Sequence, residues 1–297
     1  MGYLAPSMKS RGALYILISA AAFGTMAVIA HRAQAAGLSV PTLMLLRFGI
    51  ATALLGAAAA VCRERCPRGK DLWRLILMGA GLYFGQSLTF FTALRYIPAA
   101  TASLLLYLYP VFVTVLAVLF FGERLGKRKV FALGLALIGT VLTIGKIEPG
   151  NGLGYVYGVV SAALYAAYII VGSRGAGQSG PFVTTAVVMG ATTLSYAVMN
   201  LAVGVSPVSG EGLAWGASLA MVSVIAVGGF LAGLASVSPV DASVLSALEP
   251  IVTAALAAVI LGQALSPTQY AGGAVVLAAV VLLVTSTQRR PSEREVQ

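Results

Sequence analysis

The chain has 297 residues, 59% of them hydrophobic and only 9% charged, with a mean hydropathy of +0.94. A soluble domain carries about 25% charged residues, so most of this surface is built for lipid, and no stretch between the apolar runs is long enough to fold alone. The net charge of +10 does not point to nucleic acid, which needs a soluble basic face with interleaved aromatics; basic residues collect on the cytoplasmic loops of membrane proteins, where they also meet anionic lipid.

In chain order, apolar runs broken by Gly, Pro or charge predict ten transmembrane helices over residues 14–30, 41–62, 72–94, 99–121, 129–144, 153–172, 181–203, 213–236, 240–261 and 268–286. A span needs about 20 apolar residues, and the fifth and tenth are the shortest. The first run follows Lys9 and Arg11 but is longer than a signal-peptide core, so it reads as a helix that is kept. After the second helix come Cys62 and Cys66 among Arg63, Arg65 and Arg68, with no histidine nearby. That is too few ligands for a metal, and a disulfide is not expected in a cytosolic loop; the reading is unpaired thiols. Gly150, Gly152 and Gly154 precede a helix and follow no strand, so they are not a dinucleotide fingerprint. His31 is the single histidine, at a helix boundary. With no phosphate-binding glycine-lysine loop and no clustered catalytic groups, the expectation is a non-enzyme without metal or cofactor.

Lys and Arg placement sets the orientation. Arg32, Arg95 and Lys146 fall on one side; Lys9, Arg11, the basic residues of 63–74, Arg124, Lys127, Arg128, Lys129, Arg174, Arg289, Arg290 and Arg294 fall on the other. The richer side is expected to be cytoplasmic, with both termini there.

An internal repeat organises the chain. Ala102-Ser103, Leu105, Leu108, Pro110, Leu116-Ala117, Gly122 and Leu125 recur 140 positions on, so that Pro110 matches Pro250 and Gly122 matches Gly262. Gly12, Tyr15, Ser19 and Arg32 recur as Gly154, Tyr157, Ser161 and Arg174, and Pro41 recurs as Pro181. The expected plan is two five-helix repeats, residues 1–146 and 147–297. An odd number of spans inverts the second copy, and inverted repeats place the substrate site near the midplane between them.

Within the repeats, Pro110 and Pro250 interrupt helices and are candidate hinges; packing kinks are the alternative. Polar and aromatic stripes at spacings of three and four give candidate substrate-binding residues: Tyr83, Gln86 and Phe90 on helix 3, Ser103 and Tyr107 on helix 4, Tyr165 and Tyr168 on helix 6, and Ser243, Ser246 and Glu249 on helix 9. Interhelical Ser and Thr hydrogen bonds explain such stripes equally well. Arg47 and Glu249 are costly in lipid, so each is expected to face protein or water. Glu249 suits a substrate amine or a proton; Arg47 suits a carboxylate, or backbone carbonyls near its helix start. Neither has an ionisable counterpart in the other repeat, where Val187 and Tyr109 stand. Asp241 is expected to cap helix 9.

These features resemble the drug/metabolite transporter superfamily, and within it the EamA-type exporters. The carrying residues are Leu108-Tyr109-Pro110 through Phe121-Gly122-Glu123-Arg124-Leu125 and Ala247-Leu248-Glu249-Pro250 through Leu261-Gly262-Gln263-Ala264-Leu265. The chain departs from the family's pattern at Gln263, where the second repeat usually carries Glu. Aromatic-rich helices 3, 4 and 6 are similar to those of bacterial amino-acid exporters. The resemblance implies an inner-membrane exporter of neutral or aromatic amino acids, working by alternating access through a central cavity, as a monomer or weak homodimer with membrane lipid around it. A drug cation or a sugar-nucleotide is the alternative cargo.

Overall fold

The computed structural model describes residues 6–97, 99–123, 125–144, 151–175, 179–261 and 266–288. Arg124, Lys146, Gly150, Gly262, Gln263, Ala264, Leu265 and the C-terminal arginines, used above, lie outside them. The described residues form ten helical rods and no strand. They are α1 (Pro6–Ala35), α2 (Val40–Val61), α3 (Lys70–Ile76, Leu77–Tyr83 and Phe84–Ala93), α4 (Ala99–Leu106 and Tyr109–Phe121) and α5 (Lys127–Ile144), then α6 (Gly152–Gly175), α7 (Pro181–Val203), α8 (Gly210–Leu234), α9 (Pro239–Leu245, Ser246–Leu248 and Glu249–Leu261) and α10 (Pro267–Gln288).

Eight of these rods are long and apolar enough to cross a membrane. The other two are α5, which opens on Lys127, Arg128 and Lys129, and α10, whose apolar stretch is Pro267–Leu283. They pack on each other. Gly139 and Gly272 let their backbones meet: a Cβ on Gly139 would sit 2.8 Å from the Val276 nitrogen. Close backbone approach replaces the hydrophobic drive that lipid removes.

Three rods are interrupted. α3 winds as a π-helix over Leu77–Tyr83. α4 breaks at Tyr107 and Leu108, and Pro110 then sits in the first turn of its second segment, where its missing N–H costs nothing. α9 tightens to a 3-10 turn over Ser246–Leu248 before Glu249 and Pro250. The prolines thus restart helices after a break instead of bending continuous ones.

The helices pair across the two halves. α1 lies along α8, α2 along α7, the last segment of α3 along α6, and α5 along α10; α1 also meets α9, and α4 meets α6. Side chains tie the halves: Ser19 of α1 donates to the Ala226 carbonyl of α8, the Gln86 amide of α3 donates to Ser161 of α6, and the hydroxyls of Ser87 on α3 and Tyr196 on α7 bond at 2.6 Å. Leu119, Leu194, Leu201 and Val259 project outward, leaving tyrosines, small residues and hydroxyls inside.

Candidate functional site

Arg47 lies two turns into α2 and is 8% exposed. Its Nε donates to the Ser223 hydroxyl at 2.6 Å and one terminal nitrogen donates to the Tyr83 hydroxyl at 3.1 Å. The Met26 and Met44 sulfurs lie 3.2 and 3.7 Å from its terminal nitrogens, and the guanidinium carbon stands 4.7 Å from the Phe48 ring centroid. The carbonyl-binding alternative is not what forms; side chains hold this group. No carboxylate pairs with it among the described residues. An ionised guanidinium held by hydroxyls, sulfur and a ring face, with Glu249 in electrostatic reach but not in contact, is a costly group within a membrane.

Beside Arg47 lies a belt of aromatic rings. Tyr83 stacks on Tyr168 at 5.2 Å between centroids, Tyr168 on Tyr165 at 6.0 Å, and Tyr165 meets the edge of Tyr109 at 4.7 Å. Phe48 and Tyr196 extend the belt on one side and Phe230 on another. Beside the belt Tyr107 and Glu249 face one another, with Glu249 also in electrostatic reach of Tyr83 and Arg47, and Tyr109 lies against Ser246 and the Ser243 carbonyl. Glu249 is half-buried at the first turn of the final α9 segment, and its backbone lies against Gly24 of α1. A carboxylate and a guanidinium therefore meet one polarisable aromatic cluster, contributed by α2, α3, α4, α6 and α9.

The belt is tightly closed: Tyr83, Tyr109 and Tyr168 are 4%, 1% and 2% exposed. The expected lining residues pack ring on ring, so a solute must part them to enter. One polar atom is already without a partner, the buried Tyr168 hydroxyl. A buried hydroxyl left unpaired costs about 1–3 kcal/mol, and such a group fits a site that is completed by a ligand.

The other sequence candidates divide. Ser246 is buried beside Tyr109, and Ser243 is buried with its hydroxyl turned to the Val240 carbonyl of its own helix. Gln86 is locked to Ser161, between α3 and α6. Ser103 is half-buried, one turn before Tyr107. Phe90 packs with Phe91 and a small separate cluster around Ala93, Ile97 and Ala102; the fold does not bring it to the belt. Pro110 and Pro250 lie at the breaks beside Tyr109 and Glu249. Sequence reasoning passed over Phe48, Tyr196, Phe230 and Ser223. Tyr196 and Ser223 were detectable as polar groups on otherwise apolar helices, whereas Phe48 and Phe230 carry no signal that separates them from core.

At the basic end of the molecule, Lys129 of α5 joins Glu123 and Asp241, each at 2.8 Å, and reaches the Ser238 hydroxyl at 3.2 Å. Asp241 is not the cap expected for α9. Ser238 caps it, accepting from the Asp241 backbone N–H, which leaves the Asp241 carboxylate free to bind Lys129. This cluster fastens the start of α9 to the α4–α5 corner. Gly122 supplies the left-handed turn there at φ 60°, a conformation glycine adopts without penalty. Cys62 and Cys66 are exposed and unpaired.

The comparisons agree with this architecture. The model of the EamA-like transporter family matches twice, over residues 10–145 and 152–285. An uncharacterized transporter of Archaeoglobus fulgidus is 29% identical over 276 residues, spanning 91% of this chain and 95% of its own. Shorter matches are to a probable terminal-alkyne amino-acid exporter of Streptantibioticus cattleyicolor, 31% identical over 46% of each chain, and to the aromatic amino acid exporter YddG of Ancylobacter novellus, 30% identical over 34% of this chain and 38% of that one. A crystal structure superposes with a TM-score of 0.78 at 25% identity, covering 94% of this chain and 98% of the other. An all-helical, strongly apolar chain matched twice by one transporter family along nearly its whole length is a membrane transporter, and it belongs to the EamA-like transporter family.

Proposed function

We propose that this transporter exports neutral amino acids, aromatic ones in particular, across a bacterial inner membrane. The observation that carries the proposal is Arg47 and Glu249 meeting the same tyrosine cluster, within electrostatic reach of one another but not paired. A zwitterion has one group for each: its carboxylate matches the unpaired guanidinium and its ammonium matches the carboxylate. Charge-assisted bonds of this kind are the strong ones, and an aromatic side chain adds stacking on Tyr83, Tyr165 or Tyr168. A sugar-nucleotide would call for several inward cations, and among the described residues Arg47 is the single buried one. The amino-acid exporters among the relatives point the same way.

Movement in this reading is alternating access between two inverted five-helix repeats with both termini cytoplasmic. Two features support it. Replacing each helix by the one five places on carries α1–α8 into α6–α3 and α1–α9 into α6–α4, and leaves α2–α7 and α5–α10 unchanged, so the packing follows a two-fold pattern. The family model also matches each half separately. The breaks at Pro110 and Pro250 are then paired hinges, and the Lys129 cluster is the fastening of the cytoplasmic side.

Counterflow in proteoliposomes tests the cargo. Phenylalanine, tyrosine and leucine are expected to exchange, whereas phenethylamine, phenylpropionate, a quaternary ammonium drug and a sugar-nucleotide compete poorly. Exchange of the drug cation but not of amino acids would remove the proposal. For the orientation, reporter fusions after Arg65, Lys127 and Arg174 should report cytoplasm, and fusions after Gly37, Ile97 and Gly210 the outside.

A further inference from the structure

Outside the belt, at the basic end, a cleft of about 540 Å³ opens between the first turns of α3 and the end of α4, with α6 as its floor. Its rim carries Lys70 and Arg74 from α3 and Arg174 from the last turn of α6. Below the rim the walls are hydrocarbon: Leu77, Leu116 and Ile170. Seven residues separate Ala167, on the floor, from Arg174, which at 1.5 Å per residue is about 10 Å of depth. The gap follows from the packing. The last segment of α3 packs closely on α6, and its first segment does so much less.

The rim charges are only partly compensated. Arg74 pairs with Asp71 at 3.2 Å. Arg174 donates to the Phe120 carbonyl at 3.2 Å and leans on the Phe121 ring, which holds it in place without cancelling its charge. Lys70 is exposed and pairs with no carboxylate among the described residues. Two net positive charges thus stand above an apolar slot, with Trp73, 71% exposed, beside them. Trp is the side chain that favours the headgroup level of a bilayer.

We propose that this cleft is a binding site for an anionic phospholipid. The phosphodiester sits between Lys70 and Arg174, and an acyl chain runs down the slot along Leu77, Leu116 and Ile170. Arg recognises phosphate oxygens through paired donors, and basic pockets between helices at a membrane surface hold anionic headgroups. General basic enrichment of one membrane side does not produce this arrangement. Lys127 and Arg128 are exposed at the same end and line no cleft with these residues.

Trp73 gives a direct readout, because Trp215 is the only other tryptophan and it lies at the start of α8. A Trp215→Phe protein in vesicles reports lipid contact at Trp73 by quenching with brominated lipid. Brominated phosphatidylglycerol is expected to quench far better than brominated phosphatidylcholine at equal mole fraction and low salt. The preference should fall roughly five-fold for each cation removed in Lys70→Gln and Arg174→Gln, and should persist in the Lys127→Gln/Arg128→Gln control. Equal quenching by both lipids, or a preference that the cleft variants leave unchanged, overturns the proposal. So does relief of quenching by a transported amino acid, which would make the cleft a solute portal.

Discussion

Arg47 on α2 and Ser223 on α8 are joined by a 2.6 Å hydrogen bond that crosses from one half of the chain to the other. The same guanidinium holds Tyr83 on α3, so one cation organises three helices and still has charge to offer a ligand.

Removing that charge should act on carboxylates selectively. Arg47→Gln is expected to weaken phenylalanine by roughly ten- to a hundred-fold, the equivalent of about 1.5–3 kcal/mol for a charge-assisted contact, while leaving the weak binding of phenethylamine unchanged. Arg47→Lys should recover little, since an ammonium cannot reproduce the planar fork that meets Ser223 and Tyr83 together. Competition in counterflow reads both, and equal losses for acid-bearing and acid-free compounds would contradict the assignment.

Glu249 should show the mirror selectivity. Glu249→Gln is expected to weaken zwitterions by a similar factor, with phenylpropionate unaffected. A role in proton coupling predicts something else: loss of pH-dependent transport with exchange intact. A variant with wild-type affinity and wild-type pH profile would exclude both roles.

The two tyrosines Tyr83 and Tyr168 separate stability from binding. Tyr168→Phe deletes a hydroxyl that has no partner, so thermal unfolding in detergent should stay level or rise slightly. Its affinity for amino acid should fall if substrate completes that hydroxyl. Tyr83→Phe takes a hydrogen bond from a buried cation and should cost about 1.5–3 kcal/mol. The opposite order of stabilities would show that the belt is held together differently.

The Lys129 cluster is partly exposed, at 28% for the lysine and 17% and 16% for Glu123 and Asp241. Each pair is therefore worth at most about 1 kcal/mol. Lys129→Gln should raise the reactivity of a cysteine at Ser246 toward an impermeant thiol reagent added from the basic side by about five- to thirty-fold. Cys62 and Cys66 are changed to serine first. A Lys129→Asp/Asp241→Lys exchange should restore protection, and failure of both variants to move the labelling would separate the cluster from access.

The helical, strongly apolar character was legible from apolar run length. Helical spacing puts Tyr165 and Tyr168 on one face, and their rings do stack. Phe90 shows the limit of that logic, since a stripe along α3 is one line in sequence but meets different neighbours at each turn. The pairing of α1 with α8 comes from contacts far apart in the chain, which periodicity does not encode. Asp241 was misassigned because Ser238 offered a better cap three residues earlier, and a carboxylate released from capping is free to bind a distant lysine.

The cross-pairing of α1 with α8, α2 with α7 and α5 with α10 has a consequence for the birth of the molecule. A ribosome adds about 5–20 residues per second, so α1 and α2 reside in the bilayer for roughly ten to thirty seconds before α7 and α8 are made. During that interval Arg47 has neither Ser223 nor a finished belt, and Ser19 lacks the Ala226 carbonyl. The nascent first half is thus an orphan whose polar face must be sheltered by lipid headgroups, water or the insertion machinery until its complement is synthesised.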